Sequence, residues 1–397
     1  MRDVLGPGTT LGYCTNVHAG ASLRETVQNL ERHTLAVKAR VSPDEPMGVG
    51  LWLAAQAARD LLAEPDELSR FRDWLNDRGL EAFTLNGFPH GDFHGPEVKY
   101  RVYEPDWRHP ERLRYTLDLA RIQAALRPEG AEGSISTLPV GWRASMAADA
   151  PGVERAAAHL RDLAEQLARI EDEQGRLIHV DLEPEPGCYL DKSPDVVEFF
   201  EQHLLRDANA GRIRRHLRVC HDICHGAVMF EPDSTALENY ARAGIEVGKV
   251  QISSAVQARF DVLDSDGRSE MMRQLGEFAE DRYLHQTVIR GEGGEQSFHD
   301  DLPVLLSAHK AAQPAGEWRI HFHVPLYLVG FGLLETTQQH IDECVAAVRQ
   351  FSAVRHFEAE TYAWSVLPSE LRVDELAVGI AHEITWLRQR YLVPSTV

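Results

Sequence analysis

The sequence predicts an α/β protein folded as one (β/α)8 barrel over residues 1–397, with extended loops at the C-terminal face of the barrel. Short strand-like runs alternate with amphipathic helical runs along the whole chain, as in a parallel sheet with helical crossovers. No repeat, linker or low-complexity segment divides the chain. A length of 397 residues would suggest several domains, but α/β barrels of this size fold as one unit.

The strand-like runs are short and apolar or alternating, and the helical runs between them carry apolar stripes. In the first helical run, for example, Leu23, Val27 and Leu30 share one face. Nine runs have strand character: GYCTNVH, VGLWLA, AFTLNGF, SISTLP, LIHVDLE, LRVCHDICH, KVQISS, RIHFHVP and HFEAETYAW. A closed barrel of this class needs only eight strands, so one run must lie outside it, and the pattern does not say which.

Composition narrows the classes of partner. The formal net charge of −20 disfavours nucleic acid and anionic lipid, because like charges repel. No run approaches the length of a membrane span, so membrane insertion is not expected. The N-terminal residues lack the pattern of a secretory signal, and the odd number of cysteines, five, indicates free thiols. These features predict a cytoplasmic protein with a small-molecule substrate.

Polar and apolar residues segregate to opposite faces of several strands. Alternate side chains of a strand point to opposite faces. In LIHVDLE, for example, His179, Asp181 and Glu183 share one face. RIHFHV, HFEAET, KVQIS and GYCTNVH show the same division, and since helices cover the outside of a barrel, the polar faces should point inward. An internal network of salt bridges is one explanation. A bound cation is the other, because acids and imidazoles at strand C-termini suit a metal.

Strand ends supply the candidate metal ligands. These are Glu183, Asp222, His225, Gln251, His323 and Glu360. Asp222 and His225 form D-x-x-H, with the aspartate closing a strand and the histidine one turn beyond it, so both can face one point. Glu183, His323 and Glu360 are also candidate catalytic residues. Carboxylates with imidazole favour manganese, zinc, cobalt or iron over calcium.

A second set of residues is predicted to bind substrate. It comprises His18, Asn86, His90, Glu185, Lys249, His321 and Trp364. Most have a structural alternative: a salt bridge for Glu185 and Lys249, an internally satisfied ring for His321, a solvated loop position for His18 and His90, and simple packing for Trp364. The loop NGFPHGDFHG, which carries Phe88 and Phe93, is predicted to form a lid or pocket wall.

These features resemble the xylose-isomerase-like TIM-barrel superfamily, which includes sugar isomerases, sugar phosphate isomerases/epimerases and endonuclease IV-type enzymes. The resemblance lies in the order Glu183, then Asp222 with His225, then a polar strand end, then Glu360. The runs LEPEPGC, KVQISSA, HFHVPLY and ETYAWSVLP are similar to the family of the metabolite traffic protein EboE. That similarity implies making or moving a secondary-metabolite precursor. One departure is Gln251, which stands where the superfamily usually has a histidine, so either the coordination of the metal is looser or His323 replaces that ligand.

Three hypotheses of function follow. The first is a metal-dependent isomerase or epimerase acting on a polyhydroxylated carbonyl compound. The second is a multinuclear metal-dependent phosphoester hydrolase, for which the surplus histidines His18, His90, His321 and His323 would supply ligands. The third is a non-catalytic carrier or scaffold among biosynthetic-pathway partners, with a homo-oligomer left open.

Overall fold

The computed structural model describes residues 8–64, 66–206, 209–308 and 314–392. Within these ranges the strands form two sheets, one of eight strands and one of six. The strands are β1 (Thr10–Tyr13), β2 (Met47–Trp52), β3 (Leu80–Asn86), β4 (Glu132–Thr137), β5 (Leu177–Leu182), β6 (Leu217–Asp222), β7 (Val247–Ile252), β8 (Val256–Arg259), β9 (Thr287–Arg290), β10 (Gln296–His299), β11 (Glu317–Ile320), β12 (Gly330–Phe331), β13 (Leu334–Thr336) and β14 (His356–Ala359).

The larger sheet is the predicted barrel. Its strand order is β1-β14-β7-β6-β5-β4-β3-β2, and every neighbouring pair is parallel. A parallel bridge between Cys14 and Gly50 brings the two ends of this order together. The prediction of an eight-stranded parallel barrel is therefore confirmed.

Helices connect the barrel strands and cover their outer faces. The α-helices are Leu23–Asn29, Leu35–Val41, Ala55–Ala63, Glu67–Asp77, Pro110–Leu126, Arg143–Met146, Ala150–Gln174, Ser193–Phe199, Ala210–His216, Ile223–Val228, Asp233–Ala243, Ser265–Gly276, Leu302–Ala308, Gln339–Phe351 and Leu376–Leu387. The outward residues Ile178, Val180 and Val250 are fully buried beneath them. No helix in the described ranges is long and apolar enough to cross a bilayer.

The ninth strand-like run, RIHFHVP, lies outside the barrel. Its strand β11 belongs to the smaller sheet, which has the antiparallel order β10-β9-β11-β8-β13-β12 and is inserted between β7 and β14. The inward orientation expected for the polar face of this run is wrong for Arg319, whose guanidinium pairs with Glu317. His321 and His323 follow the end of β11 and reach the C-terminal end of the barrel from the inserted sheet.

The barrel interior is polar, as the strand faces predicted. Lys249 and Glu358, from adjacent strands, are fully buried and form an ion pair of 2.6 Å. A neighbouring pair, His179 and Asp181, is joined at 2.6 Å between Nδ1 and Oδ1. Gly50 makes room for the side chain of Glu358, since a Cβ at position 50 would lie 1.2 Å from Oε1 of that glutamate. Internal salt bridges therefore account for the deeper polar residues.

Candidate metal centre

A cavity of about 70 Å³ lies at the C-terminal end of the barrel. Its floor is formed by ionisable side chains that come from different parts of the chain. These are Glu183, Glu185, His225, His321, His323 and Glu360. The structure thus brings together residues that the sequence placed at separate strand ends.

Asp222, His225 and His323 form one group of potential metal ligands. Each offers one ligand atom, and these atoms all lie within 4.8 Å of one another. The D-x-x-H spacing converges because Asp222 caps the helix Ile223–Val228: its Oδ1 accepts a hydrogen bond of 3.0 Å from the backbone N–H of His225. Ser253 donates a second hydrogen bond of 2.7 Å to the same oxygen. The second carboxylate oxygen, Oδ2, has no partner among the described residues.

The imidazole rings are held in the orientation of metal ligands. Nδ1 of His225 lies 2.8 Å from the carbonyl oxygen of Pro184, and Nδ1 of His323 lies 2.8 Å from that of Glu360. Because a carbonyl oxygen only accepts, each Nδ1 must carry the proton, which leaves the Nε2 lone pair free. Nε2 of His323 is buried and has no hydrogen-bond partner among the described residues.

Other buried polar atoms in the barrel also lack partners. They include Oε2 of Glu183 and both amide atoms of Gln251. Buried polar groups in proteins are nearly always hydrogen-bonded, so a set of unpartnered electron-rich atoms calls for a ligand. A divalent cation fits the carboxylate and imidazole atoms of this set. Gln251 itself is fully buried and does not line the cavity.

The carboxylates of the site repel one another. Burial, together with the charge of Asp222, raises the pKa of Glu183 to about 8. Burial, followed by repulsion from Glu183 and Asp222, holds the pKa of Glu360 well above its usual value. For Asp222, burial alone would raise the pKa, but attraction to His225 and His323 outweighs the effect of burial, and the pKa is lowered. Among the described residues, none of Glu183, Asp222 and Glu360 forms an ion pair with arginine or lysine. The accumulated negative charge is what a bound cation would offset.

Two asparagines orient Glu360. Nδ2 of Asn16 donates a hydrogen bond of 2.7 Å to Oε1 of Glu360, and Nδ2 of Asn86 donates one of 3.1 Å to the same oxygen. Asn86 ends β3, and Asn16 lies just past β1. The carboxylate is therefore held by one residue that follows the adjacent strand β1 and by another at the end of the more distant strand β3.

Glu185 belongs to a second group of potential ligands. Glu185, His225 and His321 also place ligand atoms within 4.8 Å of one another. Oε1 of Glu185 accepts hydrogen bonds from the hydroxyl of Tyr103, at 2.7 Å, and from Nε2 of Gln286, at 2.9 Å. Oε1 of Gln286 in turn lies 2.9 Å from Nδ1 of His321, so that ring also presents a free Nε2.

Four of the residues predicted to bind substrate lie away from the cavity. Lys249 is buried below it in the ion pair with Glu358. His18 contacts the hydroxyl of Tyr13 at 3.0 Å and stacks on another histidine. His90 packs edge-on against a tyrosine ring, and Trp364 packs over Gly379. The structure groups Asn86, Glu185 and His321, but not these four, with the candidate ligands.

The cavity also has walls that the sequence pattern predicted only in part. Phe88 and Phe93 line it, in agreement with the predicted pocket wall. Tyr103, Tyr283 and Gln286 were not singled out from the sequence. The alternating run QTVIR, which became β9, was the one signal that the segment around Gln286 is a strand rather than a connection.

No protein-family model matches the chain, and no curated protein matches it. Among solved structures, a xylose isomerase-like TIM barrel protein from Mycobacterium smegmatis in complex with magnesium is 10% identical, with 98% of each chain covered and a TM-score of 0.53. A candidate sugar phosphate isomerase/epimerase from Anabaena variabilis ATCC 29413 is 11% identical, with 97% of this chain and 98% of that chain covered and a TM-score of 0.50. At these identities the likeness establishes the fold, which is that of the xylose-isomerase-like TIM barrels.

Proposed function

We propose that the protein is a metal-dependent isomerase or epimerase that acts on a polyhydroxylated carbonyl compound. The observation that carries this proposal is the placement of Glu183 and Glu360 in one cavity, on either side of the group formed by Asp222, His225 and His323. In the barrel order, β6 and β7 separate the strands that bear the two glutamates. A substrate bound over the group would therefore lie between two carboxyl groups.

Asp222, His225 and His323 would hold the metal, with Glu183 as a further ligand. The ion would supply Lewis-acid polarisation of the substrate carbonyl. Manganese, zinc, cobalt and iron all suit this mixture of carboxylate and imidazole. A magnesium complex of a protein with the same fold supports a divalent ion as the class of cofactor.

The two glutamates are suited to proton transfer at the carbon beside the carbonyl. One carboxylate would take the proton from that carbon, and the other, as the neutral acid, would deliver a proton to the adjacent carbon or to the opposite face. Burial and repulsion among the carboxylates raise the pKa of both glutamates, and the acid and base roles require that their environments differ. Asn16 and Asn86 bind Oε1 of Glu360, which leaves Oε2 as the oxygen that can meet a substrate.

Replacing either Glu183 or Glu360 by glutamine is expected to lower turnover by about 10²–10⁴-fold, the usual contribution of a general acid or base. The readout is deuterium uptake from D₂O at the carbon beside the carbonyl, followed by NMR over a panel of ketopentoses and ketohexoses. Glu97→Gln, at an exposed position outside the site, is the matched control. Full exchange in either active-site variant, with the metal retained, would refute the proton-transfer roles.

A second candidate function is hydrolysis of a small phosphoester by two metal ions. It is favoured by one observation: the group of Glu185, His225 and His321 shares His225 with the first group, so two ions could lie side by side. Elemental analysis distinguishes the candidates. Two metal ions per chain, with one lost in His321→Ala, would favour hydrolysis, and one per chain would favour the isomerase.

The resemblance to the EboE family suggests a narrower class of substrate and a biological role for the proposed reaction. It suggests that the carbonyl compound is a precursor of a secondary metabolite and that the protein makes or moves it. If the protein is only a carrier, it should retain such a precursor without changing it. Deuterium exchange in the bound compound would exclude pure carriage.

A further inference from the structure

Resting on the proposed function, we infer that the carbonyl compound carries an uncharged, apolar arm and no phosphate group. The first observation is the composition of the cavity wall above the ionisable floor. Phe88, Phe93, Val98, Leu284 and Tyr362 face the cavity there. An apolar surface of this kind is suited to an apolar part of a ligand.

The aromatic residues of the wall support one another. The ring of Phe93 lies 5.1 Å from that of Tyr283 and 5.3 Å from that of Tyr362, measured between centroids. The rings of Tyr283 and Tyr362 are 5.0 Å apart in an edge-on arrangement. Packed in this way, the three rings form a continuous face rather than scattered side chains.

The second observation is the scarcity of positive charge. Of the described residues that line the cavity, Lys99 is the only lysine, and none is arginine. The ammonium of Lys99 is already paired with Asp301, with Nζ 2.5 Å from Oδ2. A phosphate group is normally bound by arginine, lysine or the N–H groups of a helix N-terminus, and a lysine committed to a carboxylate does not offer that charge.

Two polar donors of the wall already bind a carboxylate of the cavity. The hydroxyl of Tyr103 and the amide of Gln286 both donate to Glu185. Three glutamates, Glu183, Glu185 and Glu360, share the cavity and would repel a dianion. The cavity therefore combines a charged floor, suited to a metal and a hydroxycarbonyl group, with a wall suited to an uncharged arm.

The test compares two small hydroxyketones that share a chelating head and differ in the charge of the arm. One is 1-hydroxy-4-methylpentan-2-one, which has an isobutyl arm, and the other is dihydroxyacetone phosphate. Isothermal titration of the Mn²⁺-loaded protein should give a dissociation constant at least about tenfold lower for the isobutyl ketone, a preference of about 1.4 kcal/mol. Equal or tighter binding of dihydroxyacetone phosphate would overturn the inference and leave the proposed function standing. If neither ketone binds the metal-loaded protein, the hydroxycarbonyl head itself is wrong, and both proposals fall.

A variant in the wall provides an internal check. Val102 lines the cavity, is half-buried and is not one of the candidate ligands. Val102→Arg should add the missing charge, and we expect it to weaken binding of the isobutyl ketone and to reverse the order of the two affinities. Val102→Leu should keep the wild-type order. An unchanged preference in a folded Val102→Arg protein would contradict the role of the wall.

Discussion

Replacing Asp222 by asparagine is expected to lower the affinity for Mn²⁺ or Zn²⁺ at least about 100-fold. This loss is larger than the one that usually follows removal of a residue that only hydrogen-bonds to a metal ligand. Oδ1 accepts hydrogen bonds from Ser253 and from the N–H of His225, so the asparagine oxygen should occupy that position. Its NH₂ group would then stand where the unpartnered Oδ2 stands and would point its hydrogens toward the cation. The substitution thus removes a negative charge and replaces a ligand atom by a donor.

The measurement is isothermal titration with each metal, together with metal content after dialysis. Ser253→Ala removes the hydrogen bond to Asp222 and also the one that Ser253 accepts from the backbone N–H of Cys224, and it should weaken binding by about 10–100-fold. Asp60→Asn, on a helix remote from the cavity, should have no effect. If Asp222→Asn bound metal within threefold of the wild type, Asp222 would not be a ligand and the proposed centre would have to be abandoned.

Replacing Lys249 by methionine is expected to cost about 3–5 kcal/mol of unfolding free energy, because it leaves a buried carboxylate without its partner. Lys249 and Glu358 are both fully buried, at a separation of 2.6 Å. Burial lowers the pKa of Lys249, but the carboxylate of Glu358 more than reverses that effect and raises it, so Lys249 is an ammonium group. Urea denaturation at neutral pH would give the loss directly.

The double variant Lys249→Met/Glu358→Leu distinguishes the contribution of the ion pair to stability from the cost of leaving one buried charge unpaired. Replacing a buried pair by apolar residues of similar volume is often neutral, so the double variant should recover most of the stability lost in Lys249→Met. If Lys249→Met alone cost less than about 1 kcal/mol of unfolding free energy, the ion pair would contribute little to stability and this account of the barrel interior would be wrong.

The barrel and much of the candidate site follow from local sequence pattern. Side-chain alternation placed Asp181 and Glu358 inside the barrel, and the spacing of Asp222 and His225 placed them together because a strand end and a helix cap have fixed geometry. These relations hold over a few residues, so a single sequence displays them. The predicted roles of the site residues remain predictions.

Pairing between strands that are distant in the sequence limited how much of the fold could be predicted. The run RIHFHVP alternates like a barrel strand, but its partners, β8 and β9, lie about 60 and 30 residues earlier in the chain. Which strands pair is decided by the packing of whole sheets, and alternation within one run does not reveal it. For the same reason Tyr103 and Gln286, which hold Glu185, could not be found from their own neighbours in sequence.

The inserted sheet has a thermodynamic consequence for the site. His323 comes from that sheet, yet its ring is hydrogen-bonded to the backbone of Glu360 on the barrel side, and its closest companions are Asp222 and His225. An ion bound by all three would therefore cross-link two separately hydrogen-bonded parts of the chain. By linkage, any change that loosens the attachment of the insert must weaken the hold on the ion, and saturation with the ion must tighten that attachment by the same free energy.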